Sequence, residues 1–183
     1  MGLANKLTLL RIFLVPIFII LIGYSEPLYA LIVFTVAGLT DAIDGYVARK
    51  RNEITQFGKI VDPIADKTLL LSAFVFIYNS SLMYKFPFWF VVLVISRDVY
   101  ILLGSFLIYL IKGHLKVNPS IFGKMTTFLQ IGIVIYVLVS NIYSNVYNPY
   151  IYNTLLGVTV FMMVLSILRY SYDGINQLNS MTR

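Results

Sequence analysis

The sequence predicts an all-α integral membrane protein with six transmembrane helices and a short amino-terminal interfacial segment. Of the 183 residues, 59% are hydrophobic and 12% are charged, and the mean hydropathy is +0.84. This composition is far more apolar than that of a soluble domain. Charged residues interrupt most of the apolar runs, but runs with charges near one end are long enough to cross a bilayer as helices. Lysine and arginine concentrate at alternate ends of these runs, which is typical of a membrane protein with a fixed orientation.

Each apolar run predicts one helix when charged residues are allowed near one of its ends. The first run follows Lys6 and Arg11 and superficially resembles a signal peptide, but no small-residue cleavage site follows it. We therefore expect a retained membrane helix there. Pro63 is expected near the start of the third helix, where its missing amide hydrogen has little effect. The predicted helices span residues 7–24, 27–49, 60–80, 86–111, 121–143 and 150–170.

The chain is expected to form a single domain over residues 1–183, because it contains no low-complexity tract, internal repeat or linker. Six crossings place both termini on the same side. The basic ends are predicted to face the cytoplasm, in a bacterial inner membrane, while tyrosines and Trp89 gather at the opposite ends as an interfacial belt. The basic ends contain Lys6, Arg11, Arg49, Lys50, Arg51, Lys59, Lys112, Lys116, Lys124, Arg169 and Arg183. These residues either only set the topology or also attract anionic lipid headgroups.

Four aspartates in the second and third runs are the main candidates for chemistry. Asp41 and Asp44 are three residues apart, and Asp62 and Asp66 are four apart, so each pair shares a helical face. Two antiparallel helices joined by a short loop can direct all four carboxylates at one locus. These carboxylates would repel one another unless cations neutralised them. Because the chain has no cysteine and one histidine, we expect an oxygen-only site with two Mg²⁺ or Mn²⁺ ions.

Small residues beside these carboxylates leave room for a bulky ligand such as a nucleotide. Gly45 and Ala48 lie on the second helix, and Gly58 precedes the third. In the alternative interpretation, the carboxylates form ion pairs that only hold the helices together. Two pairs with matched faces favour the metal site over this alternative. The possible ion-pair partners are Arg49, Lys59 and Lys67.

The spacing of these residues resembles the CDP-alcohol phosphatidyltransferase family. The family pattern is Asp-x-x-Asp-Gly-x-x-Ala-Arg, eight residues, and then Gly-x-x-x-Asp-x-x-x-Asp, and this chain has every fixed position. The six-helix layout extends the resemblance over essentially the whole chain. The matching residues are Asp41, Asp44, Gly45, Ala48, Arg49, Gly58, Asp62 and Asp66.

The resemblance implies an enzyme that transfers a phosphatidyl group from CDP-diacylglycerol to an alcohol and releases CMP. It implies that Asp41, Asp44 and Asp62 hold two metal ions on the diphosphate, with Asp66 close to the second ion. Asp66 is also the implied general base, since a carboxylate can take the proton of the attacking hydroxyl. No covalent enzyme intermediate is required. The resemblance also implies a homodimer, with membrane lipids but no nucleic acid as partners.

The amino-terminal segment NKLTLLR resembles the helix-entry signature of the family. Asn5, Thr8 and Arg11 lie on one side of the first helix and could contact the nucleotide. Equally, Asn5 could be an N-cap, Thr8 a polar residue of the first turn, and Arg11 a snorkelling anchor. The full set of CDP-binding candidates is Asn5, Thr8, Arg11, Gly45, Ala48, Arg49 and Gly58.

Lys67, Arg97 and Lys124 are the expected contacts to the acceptor alcohol. An arginine inside a membrane span is a candidate site residue. The alternative for Arg97 is an ion pair with Asp98, but adjacent helical residues point about 100° apart, which predicts poor mutual pairing and leaves pairing with other helices open. The alternative for Lys124 is a cytoplasmic anchor.

The segments ISRDV and GKMTTFLQ resemble the branch of the family that contains phosphatidylglycerophosphate synthases and cardiolipin synthases. Typical bacterial phosphatidylglycerophosphate synthases have Arg-Glu where this chain has Arg97-Asp98, and lysine where it has Thr126. Both departures look more like cardiolipin synthases, which use phosphatidylglycerol as the acceptor. Glycerol 3-phosphate is nevertheless the preferred prediction for the acceptor, because its reaction is commoner in bacteria than that of phosphatidylglycerol.

A cation transporter is the alternative from another functional class, because buried carboxylates also mark ion pathways. Many transporters have inverted halves with corresponding features in each. Here all four aspartates lie between residues 41 and 66, with no counterpart in the second half. The sequence therefore favours the enzyme over a transporter, and a purely structural membrane protein is less favoured still.

Overall fold

The computed structural model describes the backbone of residues 3–51, 56–112 and 120–179, and the side chains of these ranges except 3–9, 11–12, 41–51, 56–66, 109, 112 and 178–179. The described residues form α-helices and one short 3-10 turn, with no strand among them. The all-α prediction is therefore confirmed for this part of the chain. The helices are α1 (Leu3–Gly23), α2 (Pro27–Arg51), α3 (Gln56–Asn79), α4 (Phe88–Lys112), α5 (Ile121–Ile142) and α6 (Pro149–Asn179), with the 3-10 turn at Ser144–Val146.

The helix ends differ from the predicted ends where the chain is polar. α1 begins at Leu3 instead of residue 7, so the described part of the expected interfacial segment belongs to the same helix. α6 continues to Asn179 instead of ending at 170, and an i,i+4 ion pair joins Arg169 Nε to Asp173 Oδ2 at 3.2 Å in this extension. Hydropathy marks the part of a helix that suits a membrane, whereas backbone hydrogen bonding continues beyond it.

Pro63 is not near the start of its helix, and this expectation was wrong. α3 begins at Gln56 instead of residue 60, so Pro63 lies in the helix interior. A proline there has no amide hydrogen to donate to the carbonyl of Lys59. One helical hydrogen bond is therefore missing beside Asp62, one of the predicted metal ligands.

Ser25 gives α1 a sharp end that the sequence did not reveal. Its φ is 57°, in the left-handed region that favours glycine. The amide of Glu26 donates to the carbonyl of Leu21 at 2.9 Å, and the amide of Ser25 donates to that of Ile22 at 3.0 Å. This pair of bonds is a Schellman motif, which satisfies carbonyls at the helix end. The reversal directs the chain into α2, which begins at Pro27.

The chain forms two compact units. The first comprises residues 1–86 and 134–147, and the second comprises residues 87–133 and 148–183. In the first unit α1 packs against α2 and α3, which also contact each other, and in the second unit α4 packs against α6. The single domain expected over residues 1–183 stays a prediction.

Polar contacts fix the segment that follows α3 in the first unit. The amide of Tyr84 donates to Asn141 Oδ1 at 3.1 Å, and Asn141 Nδ2 donates back to the carbonyl of Tyr84 at 2.9 Å. The Tyr84 ring also stacks on Tyr147, with the ring centroids 3.8 Å apart. One asparagine thus satisfies both backbone groups of a loop residue, and such pairing is needed where water is scarce.

In the second unit, a glycine and two pairs of hydroxyls join α4 to α6. A Cβ atom on Gly104 would lie 2.8 Å from Cε1 of Tyr170, so the ring occupies space that only glycine leaves. Ser105 Oγ and the Tyr170 hydroxyl are 2.8 Å apart, and the Tyr100 hydroxyl and Ser171 Oγ are 2.9 Å apart. Small residues and interhelical hydrogen bonds are the usual basis of helix association in membranes.

Within the described residues, three helices are long and apolar enough to cross a membrane, in the segments Phe88–Ile108, Ile121–Ile142 and Pro149–Gln177. The described parts of α1, α2 and α3 contain the shorter apolar segments Phe13–Gly23, Pro27–Thr40 and Lys67–Asn79. Many large apolar side chains on these helices are exposed, an arrangement that suits a lipid environment. The chain is a membrane protein.

Candidate active site

The four predicted metal ligands are carried by two neighbouring helices of the first unit. Asp41 and Asp44 lie on α2, and Asp62 and Asp66 lie on α3. α2 and α3 contact each other, and both pairs of aspartates lie towards the ends that the 52–55 connection joins. The four side chains are outside the described residues, so metal ligation and the general-base role of Asp66 stay predictions.

The donor set nevertheless suits the expected ions. Asp carboxylates with i,i+3 and i,i+4 spacing on two contacting helices provide hard oxygen donors, which Mg²⁺ and Mn²⁺ prefer. Elsewhere, the described residues contain no cluster of three or more His, Cys, Asp or Glu side chains that could hold a metal. The α2–α3 pair is therefore the candidate metal centre.

The CDP-binding candidates lie on the helices that carry the aspartates or pack against them. Asn5, Thr8 and Arg11 belong to α1, and α1 packs against both α2 and α3. Because α1 begins at Leu3, Asn5 lies inside its first turn and is not the N-cap residue that the alternative interpretation required. The other four candidates, Gly45, Ala48, Arg49 and Gly58, lie on α2 and α3, and the side chains of all seven are outside the described residues.

The three acceptor candidates divide between the two units. Lys67 follows Asp66 directly on α3, in the first unit, and is half-buried. Arg97 on α4 and Lys124 on α5 belong to the second unit. Lys124 is exposed, whereas Arg97 is only 7% exposed.

Arg97 and Asp98 form a buried ion pair, contrary to the expectation of poor pairing. Arg97 Nη1 lies 2.7 Å from Asp98 Oδ1, and Asp98 is only 8% exposed. The expectation considered only the directions in which adjacent side chains leave a helix. The arginine side chain is long enough to fold back to its neighbour, and the low dielectric of the interior strengthens the attraction between the charges.

Ser166 and Gly123 complete the surroundings of the guanidinium. Arg97 Nη2 donates to Ser166 Oγ on α6 at 2.8 Å. A Cβ atom on Gly123 of α5 would lie 3.6 Å from Nη2 and 3.7 Å from Ser166 Oγ. Three helices therefore meet at Arg97. The Nε atom of Arg97 is buried and has no hydrogen-bond partner in the described part of the chain.

The amino terminus of α5 adds positive potential beside this cluster. Ser120 caps the helix, since its Oγ accepts from the amide of Gly123 at 3.0 Å and its carbonyl accepts from the amide of Lys124 at 3.2 Å. The partial positive charge of a helix amino terminus favours an anion. Arg97 and this terminus together suit a negatively charged ligand.

Comparison with known proteins decides the family. A family model described as CDP-alcohol phosphatidyltransferase matches residues 1–169. The chain belongs to the CDP-alcohol phosphatidyltransferase family. This confirms the resemblance drawn from the spacing of the aspartates, and it makes the protein a phosphatidyltransferase.

Curated relatives of this phosphatidyltransferase match over most of their length. A CDP-diacylglycerol--glycerol-3-phosphate 3-phosphatidyltransferase of Bacillus subtilis (strain 168) is 35% identical over 90% of this chain and 91% of its own. A protein of the same name from Aquifex aeolicus is 32% identical over 95% of this chain and 96% of its own. A probable phosphatidylglycerophosphate synthase of Mycobacterium tuberculosis is 38% identical over 70% of this chain and 62% of its own.

Sequence reasoning missed Ser120 and Ser166. Ser166 could have been noted as a polar residue in the apolar run that forms α6. Its partner could not be identified, because Arg97 is 69 residues away along the chain. Only the packing of the second unit brings the two side chains together.

Proposed function

We propose that this phosphatidyltransferase is a phosphatidylglycerophosphate synthase. The acceptor hydroxyl of glycerol 3-phosphate attacks the lipid-side phosphorus of CDP-diacylglycerol, a new P–O bond forms, and the bond to CMP breaks. The observation that carries the proposal is that relatives named for this reaction match at 35% and 32% identity over at least 90% of both chains. The same relatives favour glycerol 3-phosphate over phosphatidylglycerol, the acceptor of the alternative cardiolipin synthase.

The residues of α2 and α3 are assigned the chemical step. Asp41, Asp44 and Asp62, with Asp66 beside them, hold two divalent cations, Mg²⁺ or Mn²⁺, whose charge stabilises the diphosphate and the departing CMP. Asp66 takes the proton from the acceptor hydroxyl as the hydroxyl attacks. The positions of the four residues on contacting helices support this assignment.

The nucleotide is assigned to the first unit. Seven residues on α1, α2 and α3 contact the CDP part of the donor: Asn5, Thr8, Arg11, Gly45, Ala48, Arg49 and Gly58. The mutual packing of these three helices supports the assignment. Glycine and alanine near the aspartates leave room for the nucleotide, and arginine suits its phosphates.

The acceptor phosphate is assigned to Lys67, Arg97 and Lys124. A phosphate monoester needs concentrated positive charge, and charge-assisted hydrogen bonds from arginine bind it well. The buried Nε of Arg97 has no hydrogen-bond partner among the described residues, and the exposed Lys124 follows Gly123 directly. Both observations support an anion site in the second unit.

The remaining assignments concern the whole protein in the membrane. All six helices cross the bacterial inner membrane, residues 1–183 act as one catalytic domain, and the active site faces the cytoplasm. Both termini and the loops predicted at residues 50–56 and 112–119 lie on that side. The positions of the basic residues support this orientation. The enzyme acts as a homodimer, which is an expectation from the family resemblance.

One assay tests the reaction directly. The purified protein is incubated with CDP-diacylglycerol and either glycerol 3-phosphate or phosphatidylglycerol, and the lipid product is identified by mass spectrometry. We expect phosphatidylglycerophosphate and CMP from the first mixture. Formation of a four-chain lipid from phosphatidylglycerol, with no reaction of glycerol 3-phosphate, would replace the proposal with the cardiolipin synthase alternative.

A further inference from the structure

We infer that Ser166 is a positioning residue for the acceptor site. With Asp98, it holds the guanidinium of Arg97 in the orientation that binds the phosphate of the acceptor. This inference rests on the proposed function, and it adds a residue of α6 to the determinants of acceptor affinity. Ser166 itself is not expected to contact the substrate.

The guanidinium is held at two of its three nitrogens by groups of different elements. Nη1 donates to Asp98 Oδ1 at 2.7 Å, and Nη2 donates to Ser166 Oγ at 2.8 Å. Two hydrogen bonds to a planar group fix both its position and its plane. Ser166 lies on α6, so its hydrogen bond links the guanidinium of Arg97 on α4 to a second helix.

Other buried hydroxyls of the second unit are used differently. Thr126 donates to the carbonyl of Phe122 at 2.8 Å, and Thr159 donates to that of Leu155 at 2.7 Å. Both bonds stay within one helix, as is usual for hydroxyls in apolar helices. Ser166, which is only 1% exposed, instead accepts a hydrogen bond from a charged group of another helix.

The two bonds leave donors of Arg97 for a ligand. A guanidinium has five N–H groups, and the bonds to Asp98 and Ser166 use one on each Nη. The Nε hydrogen is buried and has no partner among the described residues. A phosphate oxygen is a suitable acceptor for it, because arginine binds phosphate through pairs of neighbouring N–H groups.

Gly123 keeps the space beside the guanidinium open. Its hypothetical Cβ would contact Nη2 and Ser166 Oγ, at 3.6 and 3.7 Å. A larger side chain would therefore occupy the space next to the donors. The capped amino terminus of α5 lies at this point, so its amide dipoles add to the positive potential.

A purely structural role for Ser166 predicts a different behaviour. The contact between α4 and α6 is also made by the Ser105–Tyr170 and Tyr100–Ser171 hydroxyl pairs. Loss of the Ser166 hydroxyl should thus leave the helices together but release Nη2 of Arg97. The effect should appear in acceptor affinity and not in the general activity of the enzyme.

The test compares Ser166→Ala with Ser171→Ala, which removes a hydroxyl from the same helix at the contact with Tyr100. Steady-state kinetics of the full-length enzyme are measured with CDP-diacylglycerol and glycerol 3-phosphate. For Ser166→Ala we expect the KM for glycerol 3-phosphate to rise about 3- to 10-fold, the effect of one lost hydrogen bond. The kcat of Ser166→Ala and its KM for CDP-diacylglycerol should stay within about twofold of the values of the parent enzyme. For Ser171→Ala, kcat and both KM values should stay within the same range.

Two further variants keep the inference testable if Ser166→Ala folds poorly. Ser166→Cys preserves the size of the side chain but provides a weaker acceptor, and it should raise the same KM. Ser166→Thr retains the hydroxyl and should restore a KM close to that of the parent. An unchanged KM in both Ser166→Ala and Ser166→Cys, or an equal rise in Ser171→Ala, would overturn the inference.

The parent enzyme separates this inference from the proposed function. If it does not use glycerol 3-phosphate, the proposed function fails, whatever the variants do. The same comparison is then made with phosphatidylglycerol, whose phosphodiester could also bind Arg97. A parent that uses glycerol 3-phosphate, combined with unaltered KM values in the Ser166 variants, refutes the positioning role alone.

Discussion

Arg97 shows how a single residue can combine burial with charge. Removing an arginine from water is unfavourable unless its charge and its hydrogen bonds are compensated. Here the compensation comes from Asp98 and Ser166, at 2.7 and 2.8 Å. Sequence reasoning identified the arginine as a candidate because of its position in an apolar run, but it wrongly expected poor pairing with the neighbouring aspartate.

Arg97→Ala should raise the KM for glycerol 3-phosphate by about 10- to 150-fold, because each charge-assisted hydrogen bond contributes about 1.5–3 kcal/mol. The KM for CDP-diacylglycerol should change much less. Arg169→Ala is the control, since Arg169 is exposed and pairs with Asp173 at 3.2 Å. Thermal unfolding of both variants checks that they are folded. Equal changes in the two KM values would contradict a role specific to the acceptor.

Asp66→Asn should abolish transfer but retain most CDP-diacylglycerol binding, because the general base is lost while three carboxylates remain. Asp41→Asn should impair metal and nucleotide binding as well, since its assigned role is ligation. Turnover and Mn²⁺ binding, measured on both variants, separate the two roles. Near-normal turnover of metal-bound Asp66→Asn would exclude the general-base role, and loss of metal from this variant would make Asp66 chiefly a ligand.

Ser25→Gly should raise the free energy of unfolding by about 1 kcal/mol, because glycine adopts the left-handed conformation without the steric penalty of a Cβ atom. The φ of 57° at Ser25 is the reason to choose this position. Thermal unfolding in detergent provides the measurement. Ser144→Gly is the control, since Ser144 is exposed in the 3-10 turn and its φ is not positive. A gain of stability in the control but not in Ser25→Gly would refute the explanation.

At the scale of helices, the contact between α4 and α6 depends on a residue with no side chain. The Tyr170 ring lies where a Cβ of Gly104 would be, at 2.8 Å from Cε1 and 3.1 Å from the hydroxyl oxygen. The sequence places both residues on apolar helices but does not indicate that they meet. The same contact surface bears Arg97 and Ser166, so α4–α6 packing also holds the arginine that we assign to the acceptor phosphate.

Gly104→Ala should destabilise the protein relative to Gly157→Ala. Alanine has a higher helix propensity than glycine, by about 1 kcal/mol. Both variants gain this contribution, so it cancels when their stabilities are compared. Nothing lies within 4 Å of the corresponding Cβ at Gly157, so only Gly104→Ala should lose about 1–3 kcal/mol from overpacking. Melting temperatures of the two variants provide the measurement. If Gly104→Ala were as stable as the control, Tyr170 would be able to move without cost.

At the scale of the whole molecule, the orientation in the membrane rests on the distribution of lysine and arginine. Three helices satisfy the criteria for a membrane span by length and composition, and shorter apolar segments occur in the other three. Charged residues of the family pattern interrupt the apolar runs that form α2 and α3.

The orientation predicts that single cysteines at residues 52 and 145 lie on opposite sides of the membrane. The chain has no cysteine of its own, so Asn52→Cys and Asn145→Cys each introduce one labelling site. Asn145 is exposed in the 3-10 turn, and Asn52 is outside the described residues. In inside-out vesicles an impermeant maleimide should label only Asn52→Cys, and in intact spheroplasts only Asn145→Cys. Labelling of both from the same side would refute the topology.

The sequence by itself determined the features that depend on local periodicity and spacing. Apolar runs gave the helices and the membrane environment, and the aspartate spacing gave the family, which the match over residues 1–169 confirmed. Helix ends were predicted less well at Leu3, Gln56 and Asn179. The described helices extend beyond the apolar runs at these residues, because backbone hydrogen bonding continues after the hydropathy signal has stopped.

Only the tertiary structure decided which distant side chains meet. The Arg97–Ser166 contact, the Tyr170 ring beside Gly104 and the pairing of Asn141 with Tyr84 join residues far apart in the chain. Apolar periodicity shows that a helix face is buried but not which partner buries it. In a membrane, lipid can cover such a face as well as another helix can, so the partner is chosen by shape and polar contacts that emerge only when the helices pack.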